Sequence, residues 1–355
     1  MTSGSHPREP VAEEADPEKV AETVPGKSAR TGGAERVWET QNIHARPEPS
    51  DVASRPRLAG REEDLGRIEE ALTLAREIVL EYTPGAIGHE AKSDRGDPVT
   101  AADHAVDEAL REALPTRGEA WLSEETADRL SRVSYHRVWV VDPLDGTREF
   151  VEGIPEWCIS IGLVEGGIAV AGGVLNPATG ERIVGSIETG VTLNDRPAQL
   201  SGRATLEGAN VLASRSEVKR GEWERFEDAP FEVVPCGSVA YKLARVAVGT
   251  ADATWTLVPK NEWDVVAGAA LVRAAGGVVV HADGTEPAFN RADTLLPNLL
   301  AGPEALIREF REAYLEHASE GSPMEESPME ESPPEESPPE ESPPEEFSSE
   351  ESSME

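Results

Sequence analysis

The feature that most constrains this chain is a short apolar run, Arg137–Val141, that ends in an acid, Asp142, and then meets Pro143. Five residues rich in β-branched and aromatic side chains read as a strand. A carboxylate at its last position therefore sits at the carboxyl edge of a sheet. Asp145 follows three residues later, after Pro143 has bent the chain, so both acids can converge on one point. Gathered carboxylates are unstable unless a cation neutralises them. Hard oxygen donors of this kind, completed by backbone carbonyls and water, favour Mg²⁺ over zinc or copper. Past Asp145, Gly146 and Thr147 open a segment that can turn helical, and its first N–H groups can face an anion.

Further apolar runs at Cys158–Val164, Ile168–Leu175, Val211–Ala213 and Gly277–His281 read as strands separated by Gly, Asn and Pro turns. Leu65, Ile68, Leu72, Ala75, Val79 and Tyr82 recur at helical spacing until Pro84-Gly85. A second helix runs from Ala101 to Leu114, with Thr100 as N-cap and Asp103 completing a capping box. Val239–Val248 and Val265–Ala275 read as helices, the latter ended by Gly276-Gly277. Strands and helices alternate, which predicts a layered α/β or α+β architecture.

Two more acidic signatures, Ser123-Glu124-Glu125 and Trp263-Asp264, sit at the edges of regular elements. Each piece has a plain structural reading. Asp145-Gly146 alone is a turn, Asp103 alone a capping residue, Asp264 alone a helix cap, and Glu124 and Glu125 alone surface charge. The weight lies in the ordered set.

The ends of the chain read differently. Residues 1–60 are rich in Pro, Gly, Ser and Glu with no apolar periodicity, and read as a disordered extension. From Ser322 the chain repeats SPMEE and then SPPEE, so 317–355 reads as an extended acidic tail whose role is solubility. That tail carries 14 Glu and no Lys or Arg, which leaves −21 of the total charge of −35 on the remainder. So negative a protein is a poor partner for nucleic-acid polymers or anionic membranes. Six Lys against 27 Arg suit a salt-rich cytoplasm that screens self-repulsion, and equally a GC-rich genome. Two cysteines without a C-x-x-C pair indicate neither a disulfide framework nor zinc, and no apolar stretch reaches the length of a membrane span. A cytoplasmic protein is expected.

Taken in order, Asp97–Asp103 (DPVTAAD), Ser123–Glu125 (SEE), Trp139–Thr147 (WVVDPLDGT) and Glu262–Ala269 (EWDVVAGA) resemble the inositol monophosphatase superfamily. That superfamily includes 3′(2′),5′-bisphosphate nucleotidases and some fructose-1,6-bisphosphatases. The resemblance spans roughly 61–316 and leaves the tails without counterpart. It implies a layered αβαβα sandwich, here with an N-terminal half over 61–165 and a C-terminal half over 166–316, and many members are Li⁺-sensitive homodimers. It further implies that Glu124, Asp142 and the Leu144 carbonyl bind one Mg²⁺, and that Asp142, Asp145 and Asp264 bind a second. Asp103 and Thr147 would orient the attacking water, completing the catalytic set with Glu124, and Asp103 serves a third metal in some members. Gly146 and Thr147 would hold phosphate oxygens through their N–H groups.

The substrate is narrowed by the surrounding residues. Arg148-Glu149-Phe150 after DGT, together with Ser214-Arg215-Ser216, Gly237-Ser238 and Lys242, look nucleotidase-like. Arg215, Lys242 and Lys260 suit a second phosphate, although each can equally balance a nearby acid. Thr256-Leu257-Val258 stand where inositol phosphatases commonly place a sugar-binding Glu. The resemblance thus favours hydrolysis of 3′-phosphoadenosine 5′-phosphate to AMP and phosphate, ahead of inositol 1-phosphate or fructose 1,6-bisphosphate. A non-catalytic interaction protein is the reading from another class, and an inactive relative would usually lack a metal carboxylate; none is missing.

Overall fold

A computed structural model describes residues 61–86, 88–91, 98–256 and 258–316; the expectations for 1–60, 317–355, Asp97 and Leu257 lie outside the described residues. The chain opens with α1 (Arg61–Val79), which buries Ile68, Leu72, Ala75 and Val79, the stripe that the helical spacing predicts. A hairpin of β1 (His89–Ala91) and β2 (Pro98–Thr100) leads into α2 (Ala101–Ala113), capped by Thr100 and Asp103 as expected. Then come β3 (Glu119–Ser123), β4 (Arg137–Asp145), α3 (Thr147–Glu152), β5 (Cys158–Glu165), β6 (Ile168–Asn176), β7 (Glu181–Ser186), β8 (Gly190–Leu193) and β9 (Arg196–Ala198). Strands β3 to β9 form one seven-stranded sheet in chain order, with β3 parallel to β4 and every later pair antiparallel. The sheet therefore runs across residue 165, where the two halves were expected to meet.

The rest of the chain builds a second sheet. It contains β10 (Asn210–Ser214), α4 (Arg215–Lys219), β11 (Glu232–Cys236), α5 (Val239–Ala247), β12 (Ala253–Thr256), β13 (Lys260–Asn261), α6 (Glu262–Ala274), β14 (Val278–Val280), β15 (Leu295–Leu296), β16 (Leu299–Gly302) and α7 (Glu304–Arg311). Five strands pair in the order β11-β10-β12-β16-β14, and β13 pairs with β15.

Alternation along β4 sorts its side chains between two cores. Val138 and Val140 join α5 and α6 between the sheets, whereas Trp139 and Val141 pack beneath α1 and α2. A third, aromatic core lies on the far face of the small sheet, where Trp255 stacks on Phe310 of α7 at 3.8 Å between centroids. Three cores between five layers make the αβαβα sandwich that the resemblance implies.

Two sets of contacts fix the helices against the large sheet. At the start of β4, Arg137 joins Asp64 (2.5 Å) and Glu119 (3.0 Å), while Arg61 joins Glu165 (2.9 Å), so α1 is bolted to the sheet by buried ions. Beside the middle of β4, α6 lies so close to β5 and β6 that two positions there admit only glycine. A Cβ on Gly162 would come within 2.5 Å of Val266 Cγ1, and one on Gly172 within 2.9 Å of Ala267 Cα. Backbone cannot move aside as a flexible side chain can, so overpacking here is costly. Gly172→Ala is expected to destabilise the fold by about 1–3 kcal/mol or more, lowering Tm by roughly 2–4 °C per kcal/mol in thermal unfolding; an unchanged Tm would show that α6 does not press on the sheet.

Candidate active site

Strand β4 does not stop at Pro143 as the sequence suggested; it continues to Asp145 through an irregularity. Asp142 faces Ser160 and Asp145 faces Cys158, so three steps on β4 span two on β5. Proline, which has no N–H to give the ladder, is tolerated in such a bulge. The Leu144 N–H donates to Asp142 Oδ1 at 3.0 Å, which fixes that carboxylate against its own turn. Gly146 then takes φ 96°, and a Cβ there would meet the Glu156 carbonyl at 3.0 Å, so only glycine makes this corner. Helix α3 starts at Thr147, leaving its first N–H groups without intrahelical partners.

The third acid arrives from the other side of the sandwich. Asp264 occupies the third position of α6, where its Oδ2 accepts the Asn261 N–H at 3.0 Å. The helix thus begins three residues before the expected Val265, because Asn261 rather than Asp264 caps it. One carboxylate oxygen from each of Asp142, Asp145 and Asp264 lies within 4.8 Å of the others. Burial first, and then repulsion from Asp145 and Glu124, push the Asp264 carboxyl well above the ordinary range. Burial also raises Asp145, opposed by the Ala240 N–H (2.6 Å), the Ser238 hydroxyl (2.7 Å) and the charges of Lys242 and Lys260.

An all-oxygen set that resists ionising together is the donor chemistry of a hard divalent cation, and these residues fit Mg²⁺. The neighbouring Cys158 thiol is held well above its usual value, mainly by burial and then by Asp145. Glu124 stands outside the three-acid cluster. It lies just past β3, with its N–H on the Val141 carbonyl (3.3 Å), and its charge reaches Asp264.

Asp103 makes the capping box that the sequence offered, and its second oxygen faces Thr147. Its Oδ2 accepts the Thr100 N–H (2.8 Å) and hydroxyl (2.7 Å), while its Oδ1 lies 3.1 Å from Thr147 Oγ1. The single Thr147 hydroxyl proton goes either there or to the Leu144 carbonyl, 3.0 Å away. Ser238 also reaches the centre, in a left-handed conformation (φ 57°) unusual for a residue with a side chain, and Gly237 precedes it where a Cβ would strike Glu149.

The basic residues are more constrained than the sequence indicated. Arg215 pairs with Glu156 at 2.5 Å, and Lys260 with Glu217 at 3.0 Å. Lys242 is buried, its Nζ donating to the Ser238 carbonyl at 2.8 Å, and burial lowers its pKa. Three acids that matter here escaped notice in the sequence: Glu156, Glu217 and Asp107. Asp107 accepts the Ser123 and Thr126 hydroxyls, both at 2.5 Å, on either side of Glu124. Its place one helical turn after Asp103 on α2 was the available signal.

A model of the inositol monophosphatase family matches residues 62–316. The chain belongs to the inositol monophosphatase family. The inositol-1-monophosphatase of Mesorhizobium japonicum is 34% identical over 229 residues, 61% of this chain and 83% of that protein. Among solved structures, inositol monophosphatase from Anabaena (Nostoc) matches with a TM-score of 0.61 at 26% identity, covering 75% of this chain and 98% of that one. CysQ from Bacteroides thetaiotaomicron, a bacterial member of the family, matches with a TM-score of 0.57 at 27% identity over 68% of this chain and 97% of its own. The protein is accordingly a metal-dependent phosphomonoesterase of a Mg²⁺-dependent family that acts on small phosphate esters.

The raised carboxyls carry a stability consequence with a definite sign. An acid whose pKa is higher folded than unfolded loses stabilisation as pH rises from the ordinary carboxylate range through the raised value. Metal-free protein therefore loses stability as pH climbs through that window, and Mg²⁺ restores it. Asp264→Asn is expected to leave the metal-free Tm at neutral pH equal to or above that of the parent, to abolish the rise in Tm on adding Mg²⁺, and to lose Mg²⁺-dependent hydrolysis. A metal-free Tm well below the parent would contradict the assignment.

Proposed function

We propose that this phosphomonoesterase is a cytoplasmic 3′(2′),5′-bisphosphate nucleotidase, converting 3′-phosphoadenosine 5′-phosphate to AMP and phosphate. The observation that carries the substrate is the cationic wall beside the acids. Lys242 and Lys260 line one small cavity together with Ser214, Glu217 and Thr256, and both lysine charges act on Asp145. Arg215 begins α4 directly after Ser214. A second phosphate on the substrate adds a further partner for these ammonium and guanidinium groups beside the carboxylates of Glu217 and Glu156, which a neutral polyol cannot do.

Bound Mg²⁺ supplies the positive charge that gathers the acids and acidifies the attacking water. In this reading Glu124, Asp142, Asp145, Asp264 and the Leu144 carbonyl hold the metal. Asp103 cannot swivel, because Thr100 occupies its Oδ2. Its Oδ1 and Thr147 Oγ1 orient the water for in-line attack, and the N–H groups of Gly146 and Thr147 take the charge that spreads over the phosphoryl oxygens. Gly237 and Ser238 belong to the substrate-binding set in this reading, with the Ser238 hydroxyl donating to Asp145. No side chain need form a covalent intermediate with phosphate.

Inositol 1-phosphate is the second reading, favoured by the name of the Mesorhizobium relative at 34% identity. Phosphate release by the purified protein with Mg²⁺ distinguishes the two. The expected order is 3′-phosphoadenosine 5′-phosphate well above inositol 1-phosphate and fructose 1,6-bisphosphate. Arg215→Ala is expected to raise KM for the nucleotide roughly tenfold or more, the size of a lost hydrogen bond to a charged group, with kcat little changed. No turnover of the nucleotide would end this reading.

A further inference from the structure

Lys260 stands between two sets of negative oxygens. On one side is Glu217, buried on α4, whose Oε1 accepts from the Lys260 ammonium (3.0 Å) and the Thr256 hydroxyl (2.8 Å) and whose Oε2 accepts from Trp223 Nε1 (3.1 Å). Trp223 in turn stacks on Trp255, 5.6 Å between centroids and 16° from parallel, inside the aromatic core. Glu217 is therefore rooted in the best-packed part of the small sheet. On the other side are the metal acids: Lys260 precedes α6 by two residues and Asp264 by four, and its charge favours the ionised form of both Asp145 and Asp264.

A long, flexible ammonium this close to a cluster of carboxylates is an internal competitor for the divalent cation. Pairing with Asp264 would relieve the same repulsion that Mg²⁺ relieves. We propose that Glu217 is a positioning residue that holds the Lys260 ammonium away from Asp145 and Asp264, keeping that space for the metal and the ammonium on the substrate wall. This rests on the phosphatase reading of the acidic site. Glu217 is not among the acids that would hold the metal, and it acts through Lys260.

Calorimetric titration of Mg²⁺ into the full chain without substrate tests it, using the parent protein, Glu217→Gln, Lys260→Met and the double variant. Glu217→Gln is expected to weaken Mg²⁺ binding roughly tenfold, as expected for a unit charge a few ångströms nearer a partly buried site. Lys260→Met binds Mg²⁺ as tightly as the parent or more so, and the double variant binds within about twofold of Lys260→Met, a coupling that only a route through Lys260 produces. An equal loss from Glu217→Gln in both backgrounds, or no loss in either, overturns the proposal. If Glu217→Gln does not fold, the double variant removes both partners of the ion pair together and still decides: Mg²⁺ binding roughly tenfold weaker than in Lys260→Met refutes the positioning role. A parent protein that binds no Mg²⁺ would overturn the phosphatase reading as well, whereas Mg²⁺ binding insensitive to residue 217 overturns this proposal alone.

Discussion

Gathered carboxylates repel one another, and the structure brings together the buried Asp142 and Asp145 and the half-buried Asp264, with oxygens within 4.8 Å. That proximity is costly without a cation, since burial penalises the charges of Asp145 and Asp264 and repulsion from neighbouring carboxylates adds to it at Asp264. The surrounding architecture makes sense as the apparatus that enforces it. Strand β4 supplies two acids because a proline bulge turns both toward one side. Helix α6 supplies the third because glycines on β5 and β6 let its backbone lie against the sheet. Loosen either contact and the acids can separate.

Rigidity around the centre comes from the hydrogen bonds of the groups beside the three acids. Asp103 is locked by its capping box, Asp107 grips both flanks of Glu124, and Glu156 holds Arg215 while accepting the Gly237 N–H at 2.8 Å. The left-handed Ser238 places its hydroxyl on Asp145 and caps α5 through the Tyr241 N–H at 3.0 Å. Strain stored at such a residue persists only where neighbours impose it. Here β11 and α5 do so from both sides. The charges of Lys242 and Lys260 oppose the burial penalty on Asp145.

Much of this was legible in the sequence where local physics dominates. The apolar runs of β4, β5 and β6, the stripe on α1 and the capping box of α2 appear where periodicity and capping put them. Short strands such as β8, β9 and β12, three or four residues each, carry too little pattern to show. Helix α6 began earlier than expected because Asp264 reads equally well as a cap or as the third residue of a capping box. The acids at the site were visible as an ordered set of motifs, but the partners of the basic residues were not. Glu156 meets Arg215 across 59 positions and Glu217 meets Thr256 across 39, and an ion pair or hydrogen bond made only in the folded state leaves no spacing to read.

The central claim is that these acids share bound metal. Anomalous diffraction from crystals grown with Mn²⁺ in place of Mg²⁺ tests it most directly, because manganese scatters strongly and accepts the same oxygen ligands. The account predicts anomalous peaks between Asp142, Asp145 and Asp264, with Glu124 and the Leu144 carbonyl in contact. Density at saturating Mn²⁺ with no peak among these residues, or with their carboxylates turned away from one another, would contradict it.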